Sequence, residues 1–411
     1  MSERTKKIIV ISLFLLSVFG IAFALYWTFF RFETTQPTPT VEPTPDQTGT
    51  GGLPGTTGQR SPVTTQPEEG VTNLPSASPT AQGGVTITTG LSTGPVYNTA
   101  ISDDGSSMNY YSKGDNRFYR INDKGEVEAL STKQFPNVDT VSWDRASEKA
   151  VMEFPDGSNI IYDFATETQV TLPNHWEDFE FSPVQDELIA KSMGLDPDNR
   201  WLVTVNADGS NAKAFQALGD NADKVQVNWS PNDQVVAFAD TSTSSISADI
   251  DRKMIFPIGK NKENFKGLVV EGLNFESKWA PSGKKLLYSV SGSYSNYRPL
   301  LWTVDATSTS MGENRKSIQL NTYVEKCTWS SSVEIFCAVP KNLPPNAGLQ
   351  PSLYETTPDN LYKTNIETGL STLVATPQID TTMKELTVSK DGTTLYYRNA
   401  LTDELEMIKL K

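Results

Sequence analysis

The stretch Val227–Phe238, VNWSPNDQVVAF, decides the reading of this chain because its pattern returns. It comes back as SKWAPSGKKLLYSV from Ser277 and as CTWSSSVEIFCAV from Cys327. In each copy an apolar strand ends on Trp, a polar turn of Ser, Pro, Asp, Asn or Gly reverses the chain, and a β-rich run returns beside it. Aligning on the small residue of the turn extends the series in both directions. Its members are Ser102, Ser142, Ser182, Ser230, Ala280, Ser330 and Ser389. This beat is the period of a four-stranded propeller blade with loops of varying length. A third strand follows in most units, as in FYRIND from Phe118, IIYDFA from Ile160 and LLWTVDA from Leu300. Asp208-Gly209 and Thr368-Gly369 then supply positive-φ turns into a fourth. The expected fold is all-β, a seven-bladed propeller of four-stranded antiparallel blades over residues 85–411.

The turns WSPND, WAPSG and FSPVQD, each followed by an apolar strand, resemble the TolB-type, WD-repeat-like β-propeller family. Several copies depart from that family's Ser-Pro-Asp-Gly turn, with Asp144-Arg145 and Ser331-Ser332 in its place. The resemblance implies a propeller and a binding role, and it brings no catalytic residue with it.

A ring has to close. The seventh unit ends after its third strand, ELEMIKL from Glu404, while Val85–Thr89 (VTITT) is a β-prone segment ahead of the first unit. This segment is expected to serve as the outer strand of the last blade, pairing with the C-terminal strand and covering its edge.

The chain ahead of the propeller divides in two. Positions 8–30 contain no charge, and the run is long enough for one transmembrane helix. Arg4, Lys6 and Lys7 precede it in a short segment, positions 1–7, that the positive-inside bias assigns to the cytoplasm. The propeller would then be extracytoplasmic. A cleaved signal peptide is the rival reading, with Ala22-Phe23-Ala24 as its small-x-small site. Residues 31–84 are rich in Thr, Pro, Gly and Gln, a composition that cannot bury enough apolar surface to order itself. They are expected to form a disordered linker.

Charge and motifs bound the function. The chain carries −14; Glu3, Arg4, Lys6, Lys7 and Arg31 together contribute +3, so −17 falls on everything from Glu33 onward. Nucleic acid is therefore not an expected partner. One histidine, His175, is too few for an ordinary zinc site or a Ser-His-Asp triad. No nucleophile elbow, HExxH or phosphate loop occurs. No enzyme, metal or cofactor is expected. A glycan- or peptide-acting enzyme with carboxylates in the channel is the alternative, and a converging carboxylate pair at the channel mouth would favour it. Cys327 and Cys337 flank one turn symmetrically, which permits a disulfide outside the cytoplasm. Val227 and Ala237 fill the same positions in the fourth unit, so an unbonded pair would also fit.

Recurring Trp143, Trp229, Trp279 and Trp329 read as packing between blades. Loop length is the remaining asymmetry. Second-to-third strand connections swell in consecutive units, at 193–200, 241–253, 291–299 and 340–360, and all emerge on one face. Long loops on a rigid scaffold commonly carry binding. Tyr294, Tyr297, Arg298, Leu349, Tyr354 and Asp359 are the candidate contacts for a protein or envelope partner.

Overall fold

Ser230 shows why the repeated turn contains a small polar residue: its Oγ accepts hydrogen bonds from the backbone N–H groups of Gln234 (3.1 Å) and Val235 (2.9 Å). These N–H groups would otherwise be orphaned inside the reversal. Ser102, Ser182 and Ser389 act alike on Ser107, Gln185 and Thr394. In the second unit the cap is Asp144, whose Oδ1 takes Glu148 N and Lys149 N at 2.8 Å each. The expected anchor, Ser142, instead lies within the strand Thr140–Trp143, two positions earlier. A carboxylate caps the turn as well as a hydroxyl does, so the serine next to it was not the equivalent residue.

The computed structural model describes residues 16–21, 23, 76–242, 245–247 and 250–411. Residues 16–21 and 23 are helical, and they form part of a unit separate from that of residues 71–411. Among the described residues no helix is long and apolar enough to cross a membrane. The rest of the expected 8–30 span lies outside the described residues, as do residues 31–75 of the expected linker.

The second unit is a seven-bladed propeller. Blade one is typical, with antiparallel strands Val96–Ile101, Ser107–Ser112, Arg117–Asn122 and Val127–Ala129 in order from the channel outward. The core is divided into seven apolar clusters, one in each cleft between neighbouring blades. The recurring tryptophans belong to these clefts. Trp143 of blade two packs on Phe118 of blade one (5.5 Å), and Trp279 of blade five stacks on Phe238 of blade four (5.7 Å).

Blade four departs from the loop expected at 241–253. Ser245–Ser247 pairs with the first residues of the strand Ile250–Gly259, so the second-to-third connection is largely a β extension.

Closure also differs from expectation. Gly84–Thr86 joins blade six, not blade seven, as a fifth strand parallel to Ser371–Pro377. Only Thr89–Gly90 pairs with the C-terminal strand Leu405–Lys409, as the outer strand of blade seven. Ordered pairing begins at Ser78, ahead of Val85, because Ser78 bridges Thr86 and Ala81 N bonds Lys409 O at 2.8 Å. The segment thus passes from blade seven to blade six and back. Thr86 is fully buried, with its Oγ1 bonded to Gly84 O (2.9 Å), so the stitch is part of the packed body.

Candidate functional site

In an antiparallel blade the first strand begins, the second ends and the third begins at one rim. The long second-to-third loops therefore share a face with the early residues of every innermost strand. Four of these strands, in blades one, three, five and seven, carry a bulge there, with Asn98, Asp178, Asn274 and Glu385 at φ of 51 to 55°. A bulge re-aims side chains at the end of a strand. Glu385 reaches across to blade one, where Oε2 accepts Thr99 N (2.9 Å) and Oγ1 (3.1 Å). Asn274 Nδ2 reaches the long loop at Gly348 O (2.7 Å).

The channel mouth on this face holds two polar cavities. One, of about 510 Å³, is lined by Glu153, Asp178, Glu180 and Lys191. The other, of about 410 Å³, lies between blades five, six and seven and is lined by Glu276, Lys278, Glu325, Lys326, Lys384, Glu385 and Arg398. A larger cleft of about 580 Å³ beside the outermost strand of blade three has Lys262 and Glu263 as its charged lining residues. It offers little for chemistry.

Several charged groups at the mouth are staples between blades. Glu180 accepts Trp229 N (2.9 Å), and Lys278 Nζ donates to Cys327 O (2.7 Å), each spanning to the next innermost strand. Lys326 and Asp359 form an ion pair wholly removed from solvent, at 2.6 and 2.7 Å, and Asp359 also accepts Met383 N at 2.8 Å. Burial raises Asp359 and lowers Lys326, while the pair opposes both shifts.

Glu276 is different. Its carboxyl has no hydrogen-bond partner among the described residues, and burial, with the nearby Glu325 charge, pushes it up to about 7. Glu325 is exposed and accepts the Tyr354 hydroxyl on Oε1. Burial likewise raises Glu153, also beside the Asp178 charge, and Glu180 to about 7. All three glutamates therefore hold protons in the folded chain between about 4.5 and 7, where the unfolded chain has released them. Their contribution is fully present below 4.5 and is lost as pH rises through 7. Asp104, held down at about 2 by Ser102 and Ser106, titrates below this window. Thermal unfolding is expected at a higher midpoint at pH 5.5 than at pH 8, and a midpoint that climbs over that interval would contradict the placement of these carboxyls.

The loop candidates separate into a surface and a support. Leu349 (44% exposed) and Tyr294 (41%) stand on the surface, and the Tyr294 hydroxyl donates to Glu271 O at 2.6 Å. Tyr297 O accepts Gly348 N (2.8 Å) and Arg298 Nε donates to Leu343 O (2.7 Å), so both brace loop 291–299 against loop 340–360. Tyr354 is buried rather than displayed: its ring lies 4.3 Å from that of Tyr323, in a small cluster with Leu343 and Ala347. Asp359 is fully buried in the third strand of blade six. The single histidine, His175, is exposed, and its carbonyl accepts Met193 N (2.7 Å). Among the described residues no group of three or more His, Cys, Asp or Glu side chains is placed to hold a metal ion. Cys327 and Cys337 are directly paired across their hairpin, buried, and joined by a disulfide.

The residues that line the mouth were not among the sequence candidates. Their signal was faint: blade five reads FESKW where blade four reads VQVNW, putting charges into an innermost strand.

No protein-family model and no curated protein matches the chain. Among solved structures it is similar to the β-propeller domain of Cps50 (Swd1) from Myceliophteria thermophila, with a TM-score of 0.53 and 12% identity over 79% of this chain and 100% of that one. It is also similar to an oligogalacturonate lyase in complex with manganese, with a TM-score of 0.52 and 13% identity over 79% and 93%. An oligogalacturonate lyase from Vibrio parahaemolyticus gives a TM-score of 0.52 and 9% identity over the same shares. At these identities the likeness shows the β-propeller fold alone.

Proposed function

We propose that this chain is a binding or scaffolding module without catalytic activity, anchored in the cell membrane through residues 8–30. In this reading it holds a TolB-type propeller outside the cytoplasm for a protein or envelope partner. The observation that carries the binding role is the cross-bracing of the two long loops beside the channel mouth. Asn346 N bonds Asn296 O, Gly348 N bonds Tyr297 O (both 2.8 Å), and the Tyr323 hydroxyl bonds Ala347 O (2.9 Å). A surface ordered before its partner arrives loses less entropy on binding. The charge-free run and the Thr/Pro-rich stretch after it support the anchored arrangement.

The test is capture from detergent-solubilised envelope with the full-length protein and with a variant whose 341–358 segment is cut to a short turn. A partner held by the first and reduced at least tenfold with the second is expected, with thermal unfolding used to verify that the variant remains folded. Equal capture would remove the loops from the binding face.

A second reading has one observation in its favour. Glu276 and Glu325 bear on one another at the channel mouth, and a raised carboxyl beside a second carboxylate suits acid–base work on a glycan or peptide. Oligogalacturonate lyases share the fold. Turnover of oligogalacturonate or a peptide library that disappears in Glu276→Gln would establish that reading in place of the first.

A further inference from the structure

Lys326 and Asp359 form the one ion pair among the described residues in which neither side chain has any exposed surface. Their geometry is that of reactants. The Lys326 nitrogen meets both oxygens of the Asp359 carboxylate, at 2.6 and 2.7 Å. Standard carboxyl dimensions then put it within about 3 Å of the carboxyl carbon, the separation of a near-attack arrangement. No other hydrogen-bond acceptor among the described residues takes its third N–H. A buried ammonium held by one carboxylate alone is incompletely compensated for its lost water. Lys191 shows the satisfied alternative: it is also buried, yet it reaches Asp178, Glu177 and the carbonyls of Ala222 and Val225, and both of its carboxylates are exposed to solvent.

Amide formation needs the free amine and the neutral acid, and burial favours both. It pushes the Asp359 carboxyl up to about 6 against the pull of Lys326. It also lowers Lys326, with Lys384 adding to the loss, against the charges of Asp359 and Glu325. A proton passing from Nζ to Oδ1 within the existing hydrogen bond gives amine and acid. The amine lone pair adds to Cγ, and the Met383 N–H, 2.8 Å from Oδ2, faces the oxyanion that forms there. A second proton from the nitrogen passes to the departing Oδ1 hydroxyl, the C–O bond breaks, and water leaves through the cavity that Lys326 lines. Ammonium and carboxylate become one amide and one water, with nothing oxidised or reduced.

We propose that Lys326 and Asp359 condense into an intramolecular amide, a cross-link that blade six makes for itself. The ion pair and its energetics belong to the chain before this bond closes. Lys326 stands just ahead of the innermost strand Cys327–Trp329 and Asp359 opens the third strand Asp359–Asn365, so the cross-link brackets the long loop between them. The disulfide does not, because Cys327 and Cys337 both precede that loop. A chain cut by a protease within 341–358 therefore stays in one covalent piece even after reduction. None of this depends on what the propeller binds.

Mass spectrometry of the full-length protein, folded, then denatured, reduced, alkylated and digested with trypsin, reads the bond directly. An acylated Lys326 is no longer a trypsin site, so the expected main product is a branched peptide joining 317–341 to 342–363, lighter by one water than its two arms together. Fragmentation is expected to place the branch at Lys326 and Asp359. The double variant Lys326→Met, Asp359→Leu keeps apolar bulk at both positions and is expected to lose the branched peptide completely, with 317–341 and 342–363 recovered apart. Wild-type protein cleaved after Lys326, giving 317–326, 327–341 and 342–363 as separate peptides, would overturn the cross-link. A branched peptide that persists in the double variant would overturn its assignment to this pair.

Discussion

Replacing Asp359 by alanine is expected to destabilise the propeller by about 3–5 kcal/mol, the cost of leaving one member of a buried ion pair uncompensated. Neither Lys326 nor Asp359 has any exposed side-chain surface, and Asp359 is the carboxylate that neutralises the Lys326 ammonium at 2.6 and 2.7 Å. The loss would not stay local. Lys326 stands just ahead of the innermost strand of blade six, Asp359 opens that blade's third strand, and Met383 N, which Asp359 also accepts, begins blade seven. The double variant Lys326→Met, Asp359→Leu discriminates charge from shape. It removes both charges while keeping apolar bulk, so it is expected to recover most of the stability, short of about 1–3 kcal/mol for the Met383 N–H left without an acceptor. Denaturant titration of the three proteins measures both differences. A single substitution costing under about 1 kcal/mol would mean that solvent reaches the pair after all.

Replacing Cys327 and Cys337 together by serine is expected to cost about 3 kcal/mol, since the bond closes a short loop, ten residues in separation, and restricts the unfolded chain accordingly. The location gives this more than local interest. Cys327 begins the strand that follows Glu325 and Lys326, and its carbonyl accepts the Lys278 ammonium, so the bond stiffens the wall of the cavity between blades five, six and seven. Denaturation of the oxidised protein beside the double-serine variant measures the effect. A difference under about 0.5 kcal/mol would show that the three-pair ladder of this hairpin already fixes it.

The repeat was legible in the sequence because its signal is chemical as well as periodic. An aromatic must fill each cleft between blades and a small polar group must satisfy the N–H donors of each turn, so both recur wherever a blade does. The misplaced anchor in the second unit has the same origin, since Asp144 performs the cap and Ser142 only resembles it. The closing segment was found but assigned to one blade, because a short β-prone run does not encode which edge it will meet or in which direction. The loop candidates were chosen as residue types favoured in contacts, yet a long loop needs a core of its own, and Tyr354 was drawn into it. Glu276 and Lys278 stayed hidden for a different reason. A charged residue in a strand reads as solvent-facing until the ring is assembled and that face becomes a channel.

The stitch at the start of the propeller also sets an order in time. Gly84–Thr86 and Thr89–Gly90 find their partners at 375–377 and 406–407, so a growing polypeptide must leave its earliest strands waiting while nearly everything between is synthesised. Long-range closure of this kind is slow, and until it happens the outer strands of blades six and seven expose unpaired edges. A chain halted short of Leu405 would hold six blades and two strands of the seventh, with Gly84–Thr86 able to pair on blade six but Thr89–Gly90 left without its partner, so the strand Leu405–Lys409 supplies the second half of the stitch.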